Sequence, residues 1–128
     1  MTIYVALEDA IAIHADQITT YGGSPGLRDE GLLLSALLRP QSGYYGDLIE
    51  EAAALWESLA MNHAFIDGNK RVAFACTVVF LAVNGAGIEA TQEQAIEFIY
   101  SNLEGGTFRK PVIEEWLRAH VVPYAPPD

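Results

Sequence analysis

The chain has 128 residues, 51% hydrophobic and 19% charged, which suits one globular domain with a real core and is too short for two ordinary ones. Seventeen acidic residues against seven basic ones give a net charge of −10 and argue against direct nucleic-acid binding, since phosphate backbones are held by clustered lysine and arginine. The longest apolar run, Val72 to Val83, falls short of a bilayer span, and nothing at Met1–Val5 marks the chain for export. The lone Cys76 can form no internal disulfide, so a cytoplasmic protein without membrane contact or redox chemistry is expected.

Leu7, Ala10, Ile11, Ile13, His14 and Ile18 recur at helical spacing, and Gly22-Gly23 supplies a stop, which predicts a helix over about 7–21. His14 lies on or beside its apolar face and reads as a core or hydrogen-bonded histidine outside any site. After the Ser24-Pro25-Gly26 loop, Asp29 can cap a short helix that Pro40 ends. Gln41, Ser42, Gly43, Tyr44, Tyr45 and Gly46 place glycines around an aromatic pair, as in an irregular loop or a small two-stranded flap.

Asp47 and Glu50 open the next helix in a capping-box pattern; its apolar face runs through Leu59 and Ala60, with Met61-Asn62-His63 as the last turn and about Phe65 as the limit. The run from Val72 is apolar on all sides. Two buried strands would suit its valines, but twelve residues without glycine or proline and an Asn84-Gly85 terminator favour a buried central helix over about 69–84. Thr91 and Gln94 start another helix that Gly105-Gly106 stops, a last helix covers about 110–121, and the tail over 122–128 is expected to be extended. The sum is an all-α bundle of about six helices around one buried helix, filling 1–128 as a single domain.

Between the third and fourth helices lies His63-Ala64-Phe65-Ile66-Asp67-Gly68-Asn69-Lys70-Arg71. A helix start there offers free backbone N–H groups to an anion. Lys70 is one of two lysines in an acidic chain, and cations are disfavoured at a helix N-terminus unless an anion compensates them. His63 can act as general base, Asp67 as a hard oxygen ligand for Mg²⁺, Gly68 and Asn69 as an anion cradle, and Lys70 and Arg71 as phosphate binders. Phe65 and Ile66 are expected to pin the loop into the core. Two metal-binding side chains without a further histidine or cysteine make a poor zinc site, no serine sits in a glycine-flanked elbow, and there is no Walker A loop. The residues alone indicate a phosphate site and leave its reaction open.

This nonapeptide resembles the signature of the Fic/Doc superfamily, and specifically its death-on-curing (Doc) toxin branch. The resemblance extends over about residues 3–121, through Tyr21-Gly22-Gly23, Gly26 to Leu33, Ser35-Ala36-Leu37 with Arg39-Pro40, Ala52 to Leu55, and Phe80-Leu81 with Asn84-Gly85. It implies a Fic/Doc-like helical bundle with a small flap, with His63 as base, Asp67 as Mg²⁺ ligand, Gly68 and Asn69 as anion hole, and Lys70 and Arg71 on the phosphates. Fic enzymes that transfer AMP usually carry glycine where Lys70 stands and a second arginine where Phe74 stands. Proteins with the lysine are similar to kinases that bind ATP reversed and pass its γ-phosphate to a threonine of translation elongation factor Tu, arresting translation as toxins. An AMP transferase acting on a protein hydroxyl is the alternative; a catalytically silent binding module is the alternative of another class, and a toxin ribonuclease lacks both the expected Arg/His pattern and a basic surface.

The resemblance further implies that Gln41 to Gly46 is the flap that aligns the target chain. No Ser/Thr-x-x-x-Glu-Gly/Asn inhibitory pattern is present, so restraint is expected from a small antitoxin whose disordered C-terminal segment folds onto this chain.

Overall fold

The computed structural model describes residues 1–125. It runs α1 (Leu7–Tyr21), α2 (Glu30–Leu38), a 3₁₀ turn (Arg39–Gln41), α3 (Leu48–Met61), α4 (Asn69–Val83), β1 (Ala86–Ile88), α5 (Gln92–Glu104), α6 (Lys110–His120) and β2 (Val121–Pro123). The architecture is the expected all-α single domain. Among the described residues no helix is long and apolar enough to cross a membrane.

Local chemistry sets most boundaries. Gly22, at φ 87°, ends α1 while its N–H donates to the Ile18 carbonyl at 2.8 Å. Asp29 Oδ1 accepts from Leu32 N at 3.0 Å, Asp47 Oδ1 from Glu50 N at 2.9 Å, and Thr91 Oγ1 from Gln94 N at 3.1 Å, each satisfying a donor that the helix start leaves free. Only Thr91 and Gln94 close a reciprocal box of these three; Glu50 instead turns its Oε1 to Gly46 N and its Oε2 to Lys110.

The core forms where α3 meets α4 and α6. Ala52, Ala53 and Ala54 are fully buried, and these small side chains let the neighbouring helices approach closely. Trp56 lies at the centre, with ring centroids of Phe74, Phe98, Phe108 and Trp116 between 5.2 and 5.8 Å away. Truncating such a side chain to alanine costs about 3–5 kcal/mol. Cys76 is buried in the same core, and desolvation pushes its thiol up to about 12, which makes it inert as a nucleophile.

Several expectations change. The run 72–83 is one helix, and the two-strand alternative is discarded. Val72, Ala73, Cys76, Thr77, Phe80 and Leu81 are buried, but Val78, Val79 and Val83 on the same helix are exposed. The helix α4 is therefore central with one face open. That face lines a groove of about 840 Å³ shared with α5 and the end of α1.

The tail over 122–128 is not simply extended. Val121–Pro123 pairs antiparallel with Ala86–Ile88, in the register Ala86↔Pro123, Gly87↔Val122 and Ile88↔Val121, so the chain's own ladder satisfies backbone groups that a free tail would leave to water. Residues 126–128 of that segment lie outside the described residues. At the other end, Asn84 fastens the amino terminus: its Oδ1 accepts from Ile3 N at 2.8 Å, and its Nδ2 donates to the Ile3 carbonyl at 2.7 Å.

The segment 41–46 is the irregular loop of the two alternatives, with no strand pairing. Gln41 belongs to the 3₁₀ turn, Tyr44 is 89% exposed, and Tyr45 is tied down. The Tyr45 hydroxyl accepts from Arg39 Nε at 3.0 Å, and Lys110 Nζ stands 5.1 Å over its ring. Arg39 in turn pairs with Glu57 at 2.6 Å, and Lys110 with Glu50 and Glu114, which anchors the loop's base to α3 and α6.

Candidate functional site

The turn over 62–68 joins α3 to α4 and carries no helix of its own. The helix α3 stops at Met61, earlier than the apolar pattern suggested, because Asn62 caps it and sends its side-chain N–H to the Leu32 carbonyl at 3.2 Å. His63 follows with φ 51°, a left-handed conformation that no helical turn accommodates, and so lies outside α3. Its imidazole is exposed and bonds to no other group among the described residues.

Two hydrogen bonds from Asn69 fix the turn from its own side. Phe65 is 2% exposed, and Asn69 serves both of its backbone groups: Oδ1 accepts from Phe65 N at 3.0 Å while Nδ2 donates to the Phe65 carbonyl at 2.9 Å. Both ends of the Asn69 amide are thus engaged by the turn, while the second N–H of Nδ2 makes no bond to it. Gly68 has φ 75°, and an added Cβ would come within 3.2 Å of Ile18 Cδ1, so both conformation and the close approach of α1 demand glycine. Ile66 is 58% exposed and leans on Gly26 outside the core, which corrects its expected role as a pin; Phe65 alone fills that role.

The helix α1 holds the turn from beneath. His14 is 4% exposed, stacks on the Phe65 ring at 3.8 Å, and places Nε2 2.7 Å from the Asp67 carbonyl. It is the core, hydrogen-bonded histidine expected, yet the group it holds belongs to the motif. Nothing in the sequence pairs residues 14 and 67; only the packing of α1 on α4 brings them together.

Asp67 is exposed. Its Oδ2 accepts from Ser24 N at 3.1 Å and its Oδ1 from Gly68 N at 2.8 Å, and these backbone donors, with Arg71 nearby, hold its carboxyl below the usual carboxylate range. Each oxygen keeps further acceptor capacity, as a hard cation requires. No group of three or more histidine, cysteine or acidic side chains gathers to cage a metal among the described residues. Asp67 therefore fits a cation carried in by a phosphate ligand better than one held by the protein alone.

At the start of α4, Gly68 offers no side-chain cap, so the first-turn N–H groups at Asn69, Lys70 and Arg71 have no acceptor within the helix. The two cations diverge from there. Lys70 Nζ sits 5.0 Å over the Tyr100 ring of α5, at the mouth of the apolar groove. Arg71 turns back toward α1, with Nη1 3.4 Å from the Gln17 carbonyl, and stands beside Asp67. Phe74, one turn on, packs against Trp56 and lines the groove. The arrangement can receive an anion on backbone N–H groups, with a carboxylate, two cations and a free imidazole within nine residues.

The Fic/DOC family model matches residues 4–81, which include the whole turn. Over 95 residues the chain is 43% identical to "Toxin Doc" of Mycolicibacterium smegmatis, covering 70% of this chain and 71% of that protein. Over 96 residues it is 33% identical to "Protein kinase doc" of Escherichia phage P1, covering 72% of this chain and 76% of that protein.

Proposed function

Since this chain belongs to the Fic/DOC family, we propose that it is the toxin of a toxin–antitoxin pair and a protein kinase that moves the γ-phosphate of ATP to a threonine hydroxyl of elongation factor Tu. One observation carries the reading: around a single turn, Lys70 stands where AMP-transferring relatives carry glycine, and Phe74, packed at 5.2 Å from Trp56, stands where they carry a second arginine. Relatives named as a Doc toxin and a Doc protein kinase support it.

The chemistry follows from these side chains. The free imidazole of His63 takes the proton of the target hydroxyl as its oxygen forms a bond to the γ-phosphorus, the bond from that phosphorus to the bridging oxygen breaks, and ADP leaves. N–H groups at the start of α4 receive phosphate oxygens, and Lys70 and Arg71 offset their charge. Asp67 would hold Mg²⁺, which when bound neutralises charge between adjacent phosphates. Gly68 and Asn69 keep the turn in shape. In the loop over 41–46, exposed Tyr44 is the side chain free to meet the target chain, while Tyr45 anchors the loop.

Restraint falls to an antitoxin whose disordered C-terminal segment orders on this chain. The open face of α4 supports that, since Ala75, Val78 and Val79 leave an apolar groove uncovered beside Lys70. Incubation with elongation factor Tu and ATP labelled separately at the α and γ positions tests the kinase reading. Label arriving from the γ position is the expected result; label arriving only from the α position would replace this reading with AMP transfer.

A further inference from the structure

His63 occupies the left-handed region, which is uncommon for any residue with a side chain. It is the single non-glycine residue with positive φ among the described residues, one position beyond the cap of α3. At that helix end the last carbonyls lack intrahelical donors, and no basic residue lies in the last turn to offset the dipole.

Arg28 supplies what is missing from 35 residues away. Its Nε donates to the His63 carbonyl at 2.8 Å, its Nη2 donates to the same oxygen, and Nη2 also reaches the Asn62 carbonyl at 3.5 Å. Two donors of one planar fork on a single carbonyl restrict the plane of the peptide that follows His63, and with it the direction of the imidazole. Arg28 is itself well placed. The Arg28 and Asp29 N–H groups both donate to the Ala64 carbonyl, at 2.8 and 3.0 Å, and Ile66 N donates to the Gly26 carbonyl at 3.1 Å. Leu27 and Phe65 form an antiparallel bridge, and Asp29 caps α2. These contacts use backbone groups or Asp29, so they survive loss of the guanidinium.

We propose that Arg28 is a positioning residue: its guanidinium, gripping the carbonyl of His63, holds the imidazole where a target hydroxyl can give it a proton. The inference rests on the reading of His63 as the base. It differs from direct contact with phosphate or target, because Nε and Nη2 are already engaged by backbone carbonyls.

Arg28→Met, which keeps the aliphatic stem, and Arg28→Lys, which keeps a charge without the fork, separate these roles. In γ-phosphate transfer to elongation factor Tu, Arg28→Met lowers kcat about 10- to 100-fold and leaves both KM values within about twofold, and Arg28→Lys recovers part of the loss. In spectra of the free protein, the His63 imidazole resonances shift or broaden in Arg28→Met while those of His14 and His120 stay. Unchanged kcat, unchanged His63 resonances, or a loss confined to KM would each overturn the proposal. The spectra need no activity, so a wild-type protein that moves no γ-phosphate defeats the kinase reading while the role of Arg28 is still decided.

Discussion

Replacing Asn69 by alanine separates a side chain that shapes the turn from one that touches phosphate. The substitution removes two hydrogen bonds to the peptide groups of Phe65, at 3.0 and 2.9 Å, and that residue is 2% exposed, so water replaces them poorly. Each such bond is worth about 1 kcal/mol net, and more where a buried group is left unpaired. Alanine's better helix propensity at the first position of α4 returns about 0.5 kcal/mol. The net loss is about 2–3 kcal/mol, roughly a 10 °C drop in Tm for a chain of this size. Urea denaturation followed by tryptophan fluorescence measures it, because Trp56 reports the core. The Asn69→Asp protein keeps an acceptor for Phe65 N but sets an oxygen against the Phe65 carbonyl, so it recovers only part of the stability. Transfer activity should fall in step with the loosened turn. An Asn69→Ala protein that loses its activity while losing less than about 0.5 kcal/mol would refute this reasoning and return Asn69 to the anion cradle.

Other perturbations follow from the same geometry. Gly68→Ala forces a Cβ into φ 75° and within 3.2 Å of Ile18 Cδ1, and thermal denaturation should show a loss of about 1–2 kcal/mol. His14→Phe keeps the stack on Phe65 but removes the donor to the Asp67 carbonyl; urea denaturation should report about 1 kcal/mol lost. Asp47 and Glu114 sit below their ordinary values of 3.8 and 4.5, Asp47 mainly through the Glu50 N–H and then Arg118, Glu114 mainly through Lys110. Their folded pKa values are the lower ones, so the stability they lend is complete above the unfolded values and is lost as pH falls through the folded ones. The part of the stability that these two carboxylates lend should therefore hold above about pH 5 and decline below about 4.5, with a shallower decline in Arg118→Met.

Much of the bundle was legible in sequence because its signals are local. Asp29, Asp47 and Thr91 mark helix starts through side chains that reach three residues ahead, and Gly22, Gly85 and Gly105 stand where helices stop. Twelve residues without glycine or proline over 72–83, with Asn84-Gly85 behind them, identified α4 as well. The place of the motif, between two helices and ahead of an apolar one, needed no more than this.

What lay beyond the sequence depends on partners distant along the chain. The strand Val121–Pro123 has no pattern of its own and exists because β1 lies beside it. The open face of α4 could not be read either, since a uniformly apolar helix carries no mark of which side its neighbours leave uncovered. The sequence by itself determined the helices and the kinds of chemistry the nine-residue turn can offer, because both are written in nearest neighbours. The tertiary structure decided how that turn is held. His14, Arg28 and Asn69 are ordinary residues until folding sets one under the Asp67 carbonyl, one on the His63 carbonyl and one across the Phe65 peptide groups.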